Sequence, residues 1–186
     1  SLYRAAEFEA AVPLFFSYAE KIWVKPQKTK QEEESLQNSL DVISLSFIQQ
    51  DGARSLNAYF DKVGEKFYES IIYNRLAKTY IDKKSYKEAA ETYAAFIERH
   101  PLDPDAPELS SAIINTYDLG GFPSLVVTAK EKFVEHYDVN SAYWKQSSPE
   151  TQARLRPTLE GHIIDLAKHY HATAQQNGLA TDYEKA

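Results

Sequence analysis

The sequence predicts an all-α fold, and three observations lead to this prediction. Apolar residues recur at intervals of three and four along most of the 186-residue chain, which is the spacing of one face of an α-helix. Six Gly and eight Pro supply too few turns for a fold made only of strands. With 43% apolar and 26% charged residues, the composition is that of an ordinary globular chain and is too apolar for disorder.

Composition and charge also exclude several classes of function. The chain has no Cys, which rules out disulfides, thiolate metal sites and Cys nucleophiles. Its net charge of -6 argues against a phosphate-binding surface spread over the whole molecule, so we expect no nucleic-acid partner. No uncharged apolar run approaches the roughly 18 residues that a membrane span needs, so we expect no transmembrane segment.

The clearest pattern lies in residues 70–103 and predicts a hairpin of two helices. Two apolar stripes at helical spacing are separated by the polar residues 82–84. Ser85, with Glu88 three residues later, is typical of a helix start with a capping box. Pro101 ends the second helix, because a proline disfavours a helical residue before it. The stripes consist of Ile72, Tyr73, Leu76, Ala77 and Tyr80, and of Tyr86, Ala89, Ala90, Tyr93, Phe96 and Ile97.

This hairpin resembles a tetratricopeptide repeat, a unit of about 34 residues. The repeat has an aromatic, Leu, a small residue and Tyr on its first helix, and an aromatic, Ala, an aromatic and a closing Pro on its second. Ala77 and Ala89 are expected to be small because the two helices cross closest there. The matching residues are Tyr73, Leu76, Ala77, Tyr80, Tyr86, Ala89, Tyr93 and Pro101.

The resemblance implies antiparallel helical hairpins stacked as a right-handed superhelix, with a C-terminal capping helix. It implies a non-catalytic scaffold that binds a peptide or partner protein through its concave face. The Pro-rich spacer in residues 102–107 is similar to those of bacterial outer-membrane assembly lipoproteins and related envelope proteins. A periplasmic or cell-envelope setting follows from that similarity, and a cytoplasmic one stays open.

The N-terminal third of the chain carries a weaker form of the same rhythm. Residues 1–24 are expected to be a partial repeat, in which 2–6 end a first helix and a second helix carries Phe8, Ala11 and Phe15, with Pro13 either in its opening turn or kinking it. Residues 31–64 are expected to form a degenerate hairpin, whose first residues overlap a charged linker over 25–34. Its first helix is predicted from about Ser35 to Gln49, and its second ends near Gly64.

The C-terminal half is predicted to contain a degenerate repeat over residues 107–140 and a terminal helix over 147–176. Gly120 and Gly121 provide the turn of the repeat. In the terminal helix, Pro157 is expected to cause a kink or a restart. Tyr143 and Trp144, between the two segments, either cover a neighbouring domain or tuck under the last repeat. We expect the whole chain to be a single helical array and a piece of a longer protein.

The sequence favours neither a metal site nor an enzyme active site. His162, Asp165 and His169 fall on one side of a helix and include ligand types that hold zinc, but the i, i+4 His pair with an intervening Glu is absent. We therefore expect a solvated helix face with a histidine bordering the core, and no metal or other cofactor. Neither a G-x-S-x-G nucleophile turn nor a Gly-rich phosphate loop occurs, so we expect no enzyme activity.

A binding groove is the remaining candidate site. In tetratricopeptide stacks the first helices of successive repeats line the concave side, and the resemblance places Asn74, Arg75, Lys78, Ser111 and Asn115 there. Side chains of these types hydrogen-bond a peptide backbone or carboxylate. Lys78 and Asn115 occupy equivalent positions and are expected to be neighbours. Two alternatives stay open, namely a structural spacer or self-associating domain and a regulatory arm of a larger enzyme.

Overall fold

The computed structural model describes the backbone of residues 2–177 and the side chains of residues 10–175. Within this part of the chain there are nine helices and no strand, which confirms the all-α prediction. The chain divides into two compact units, Ser1–Phe96 and Ile97–Ala186. The helices are α1 (Leu2–Trp23), α2 (Lys30–Gln49), α3 (Ala53–Val63), α4 (Glu69–Asp82), α5 (Tyr86–Arg99), α6 (Ala106–Leu119), α7 (Pro123–Tyr137), α8 (Ala142–Gln146) and α9 (Pro149–Asn177).

The first helix corrects the prediction of two helix segments before residue 24. α1 runs without a break from Leu2 to Trp23, and Pro13 lies inside it. Pro13 is exposed, and as a proline it removes one backbone N–H donor from the helix. The buried stripe also differs from the predicted one, because Phe16 is buried while Ala11 and Phe15 are half-buried. The predicted core position Phe8 lies outside the described side chains.

The second helix begins at Lys30, five residues before the predicted start, so the linker is shorter than expected. Thr29 is the reason, because it forms a capping box. Its hydroxyl accepts from the Glu32 amide at 3.2 Å, and its own amide donates to Glu32 Oε2 at 2.9 Å. Lys25 pairs with the same carboxylate. Together these bonds place Glu32 and Glu33 inside the first turn of α2 rather than in the linker.

The return helix and the clear hairpin lie where the sequence predicts them. α3 ends at Val63, directly before Gly64. α4 and α5 are antiparallel, because Tyr73 near the start of α4 contacts Phe96 near the end of α5, with ring centroids 5.6 Å apart. Ala77 and Ala89 are both completely buried. Both small residues therefore lie in the core, and their closeness at a helix crossing stays a prediction.

A chain of aromatic contacts forms the core of the first unit. Its rings come from four helices and from the segment before α4, and neighbouring centroids lie 4.7 to 6.0 Å apart. Offset and edge-on contacts of this kind add to the free energy of area burial. Three of its members, Trp23, Phe16 and Tyr68, were not predicted as core residues. The chain runs through Trp23, Tyr68, Phe16, Phe60, Tyr73 and Phe96.

In the second unit α6 packs on α7, and α7 packs on α8 and α9. The terminal helix continues through Pro157, so the predicted restart is wrong. Pro157 and Ala153 are both exposed, and the carbonyl that loses its partner is open to water. The short α8 was not predicted. It buries Tyr143 and Trp144 in one core cluster with residues of α6, α7 and α9, so both pack within this unit.

Among the helices of the described residues, none has the length and apolar character that crossing a membrane would require.

Candidate functional site

The first helices of two predicted repeats, α2 and α4, lie side by side and point in the same direction. Midway along them, Arg75 Nε donates to Asp41 Oδ1 at 2.8 Å. At their C-terminal ends, the turn after α2 at Gly52 meets the hydroxyl of Tyr80 near the end of α4. Two contacts in the same order along both helices fix the parallel direction.

The side of this pair opposite the core is called the α2–α4 face here. It contains exposed apolar side chains as well as charged ones. Leu45 and Ile71 are each 41% exposed, and Val42 is 36% exposed. Lys78 is exposed two turns along α4 from Ile71, and the half-buried Arg75 lies between them. The face therefore presents apolar area and cationic groups together.

Three of the predicted groove residues belong to α4 and fall within one turn of each other. Lys78 extends into solvent. Arg75 forms its ion pair with Asp41, and Asn74 Oδ1 accepts from the Tyr93 hydroxyl at 3.3 Å. Asn74 and Arg75 thus have partners inside the protein, which leaves Lys78 as the polar group of this set that is most available to a ligand.

The other two predicted residues, Ser111 and Asn115, lie one turn apart on α6. Ser111 donates its hydroxyl to the Pro107 carbonyl at 3.0 Å, and Asn115 is exposed. Ser111 also lines a cavity of about 230 Å³ between α6 and α9. Since Lys78 and Asn115 belong to different units, their expected proximity stays a prediction.

The α6–α9 cavity contains residues that sequence reasoning missed. Its floor includes Leu155, which is buried, and its rim carries one cation and one carboxylate, Arg154 and Glu108. Glu108 lies three residues before Ser111 on the same helix, so helical spacing alone could have identified it. The lining residues are Pro104, Pro107, Glu108, Ser111, Thr151, Arg154, Leu155 and Thr158.

A cavity of about 690 Å³ lies in the first unit among α1, α2 and α3. Its apolar lining includes Val12, Phe47 and Tyr59. Among the described side chains that line it, Lys62 is the one charged residue. These described residues offer space for an apolar group.

His162 and Asp165, which the sequence suggests as zinc ligands, make other contacts in the structure. The His162 ring packs edge-on against Phe133 with centroids 4.7 Å apart, so this histidine borders the core, as expected. Asp165 accepts from Lys130 Nζ at 2.5 Å, and that bond holds the pKa of the Asp165 carboxyl below its ordinary value. Within the described side chains, no group of three or more His, Asp and Glu residues is arranged to hold a metal ion.

Comparisons with protein-family models, with curated proteins and with solved structures find no match to this chain.

Proposed function

We propose that this chain is a non-catalytic scaffold that binds a peptide segment of a partner protein through the α2–α4 face. The observation that carries the proposal is the exposure of Leu45 and Ile71 beside Lys78 on two parallel helices. When a partner covers exposed apolar side chains, the binding free energy becomes more favourable by about 25 cal/mol per Å² of buried apolar area.

The chemistry of the face defines the peptide that would suit it. Apolar side chains of the peptide would cover Leu45 and Ile71, and a carboxylate would pair with Lys78. The Arg75 guanidinium already pairs with Asp41, so it would add a second contact only by sharing its remaining N–H groups. We therefore propose an apolar segment with at least one acidic residue as the ligand.

The proposal extends to the arrangement that the repeat pattern implies. If the hairpins stack as in tetratricopeptide proteins, their first helices lie on one common side. The same resemblance favours a cell-envelope setting for the chain. The parallel packing of α2 and α4 supports this arrangement within the first unit.

Self-association is the second candidate function, and one observation favours it. Leu14 and Tyr18, one turn apart on α1, are 70% and 47% exposed. A second copy that covers this side of α1 would bury both. Light scattering distinguishes the two functions, because a mass well above 21.2 kDa without added peptide supports self-association.

Affinity measurements on variants test the peptide-binding proposal. Peptides would be selected from a random displayed library on the immobilised chain, and their Kd measured by fluorescence anisotropy. Lys78→Ala should weaken binding by roughly three- to tenfold, as expected for one charge-assisted hydrogen bond at a partly exposed site. Leu45→Ser should weaken it as well. Lys132→Ala, at an exposed position of α7, is the matched control and should leave Kd unchanged.

A further inference from the structure

His162 has an unusual environment for a histidine on a helix next to solvent. Its Nε2 atom is buried and has no hydrogen-bond partner, while the ring packs on Phe133 of α7. A neutral imidazole tolerates this position, because an unfilled acceptor in an apolar contact costs little compared with an unpaired charge. An imidazolium would place a buried N–H⁺ there without an acceptor, which is costly.

The charged groups around His162 come from both helices of this interface. From α7, the Lys130 ammonium faces it and disfavours a second positive charge. On α9 itself, Asp165 favours the imidazolium, but this carboxylate is already bonded to Lys130. Glu131 of α7 accepts from the Tyr170 hydroxyl, two turns along α9.

The remaining neighbours of α9 lie nearer its start. α8 contacts it through the Trp144 ring, over which the Arg156 guanidinium lies at 5.3 Å, and the charged residue of α8 is Lys145. α6 shares with it the cavity whose charged groups are Glu108 and Arg154. All of these contacts to α9 lie at or before Thr158, one turn or more from His162, and Asp165 remains the carboxylate that acts on the ring.

We propose that protonation of His162 loosens α9 from α7, so that acidification exposes the Phe133 side of the core cluster in the second unit. The contact that would open includes Phe133, which is completely buried, and Leu159, which is 4% exposed. Residues 159–175 of α9 would separate first, because the cavity shared with α6 and the Arg156–Trp144 contact with α8 both lie at or before Thr158. This pH-dependent opening of α9 is independent of the proposed peptide-binding function.

The direction of the pH effect follows from the environment. Burial, and secondarily Lys130, lowers the pKa of His162 below its ordinary value of 6.5. The closed state therefore binds fewer protons than the open one, and its stability is complete above pH 6.5 and falls as the pH drops below that value. With one linked proton, the opening constant rises by at most about tenfold per pH unit in this range.

Hydrogen exchange of the whole chain tests the proposal. Exchange rates of the α9 amides would be measured at pH 7.0 and 5.5 and corrected for the intrinsic effect of pH. The opening constant of residues 159–175 should rise by up to about eightfold in the wild type, given one proton and a reference pKa near 6.5. His162→Gln should remove the rise. His169→Gln, an exposed histidine on the same helix, should retain it.

A second measurement keeps the proposal testable if the His162→Gln chain fails to fold. The ring of His162 in the wild type would be titrated by NMR. An inflection below 6.5, together with faster exchange of α9 as the ring titrates, would support the proposal. Equal pH responses of wild type and His162→Gln, or an inflection at or above 6.5, would overturn it.

Discussion

The hydroxyl of Tyr80 occupies the space that a side chain at residue 52 would need. A Cβ built on Gly52 would collide with this oxygen, and the backbone φ of Gly52 is +54°, which L side chains rarely adopt. The α2–α3 turn and the end of α4 are therefore fitted to one another, and this contact aligns the two helices of the candidate face.

Gly52→Ala should destabilise the fold through both the strained backbone and the collision. Positive-φ strain alone costs about 1–3 kcal/mol, and the collision should add to it. Chemical denaturation measures the change in the free energy of unfolding. Gly64→Ala is the matched control, since φ is +82° there and nothing lies within 4 Å of the added Cβ. The extra cost at Gly52 should shrink in a Tyr80→Phe background, which removes the colliding oxygen but keeps the ring carbon at 3.3 Å. Equal costs in both backgrounds would contradict the collision.

The start of α2 should be sensitive to Thr29 and to acid. Thr29→Ala removes the cap and should cost about 1 kcal/mol of unfolding free energy. The bond from Lys25 and the capping bond from the Thr29 amide lower the pKa of Glu32 to about 2 from 4.5. Because this carboxyl has a depressed pKa in the folded state, its contribution is present above pH 4.5 and is lost as the pH falls toward 2.

Glu32→Gln tests the pH dependence directly. The difference in Tm between wild type and Glu32→Gln should be largest near neutral pH and should shrink between pH 4.5 and 2.5. Glu33→Gln, in the same turn, controls for the general effect of a negative charge at a helix start. A difference in Tm that stays constant down to pH 2.5 would show that the Lys25–Glu32 contact does not hold in solution.

Overpacking the core of the α4–α5 hairpin should be costly. Ala89 is completely buried, so Ala89→Leu should lower the free energy of unfolding by about 1–3 kcal/mol. Ala94→Leu, at a half-buried position of the same helix, is the control and should cost less. Equal effects of the two variants in urea denaturation would show that the repeat register assigned to α5 is wrong.

The strongly periodic hairpins could be predicted from the sequence, whereas the helix boundaries that depend on local bonds could not. α4 and α5 follow from two apolar stripes separated by polar residues. The start of α2 depends on Thr29, whose capping role is visible only as Thr-x-x-Glu within a charged segment that looks like a linker. α8 has five residues and is too short to show a period.

Two prolines show why a helix break is hard to predict from sequence. A proline inside a helical pattern predicts a break or a kink, but at Pro13 and Pro157 the helices continue without a break. Both prolines are exposed, and water can compensate for the lost hydrogen bond. Exposure depends on which side of the helix the neighbours cover, and that information comes only from the tertiary structure.

On α4, Lys78 is exposed and Arg75 is half-buried. The repeat pattern named both as groove residues, and that role stays a prediction. It did not indicate that Asp41 of α2 pairs with Arg75, because this contact joins positions 34 residues apart. Nor did it indicate a role for the exposed Leu45 and Ile71, which fall outside the predicted apolar stripes.

Mapping the bound peptide on the chain by NMR tests the central claim most directly. A library-selected peptide would be titrated into the isotope-labelled chain, and the amide shifts of α2 and α4 followed. We predict that the largest shifts fall at Val42, Leu45, Ile71 and Lys78, with little change on the outer side of α1. A footprint on Leu14 and Tyr18, or the failure of any peptide to bind, would contradict the claim that the α2–α4 face recognises a partner.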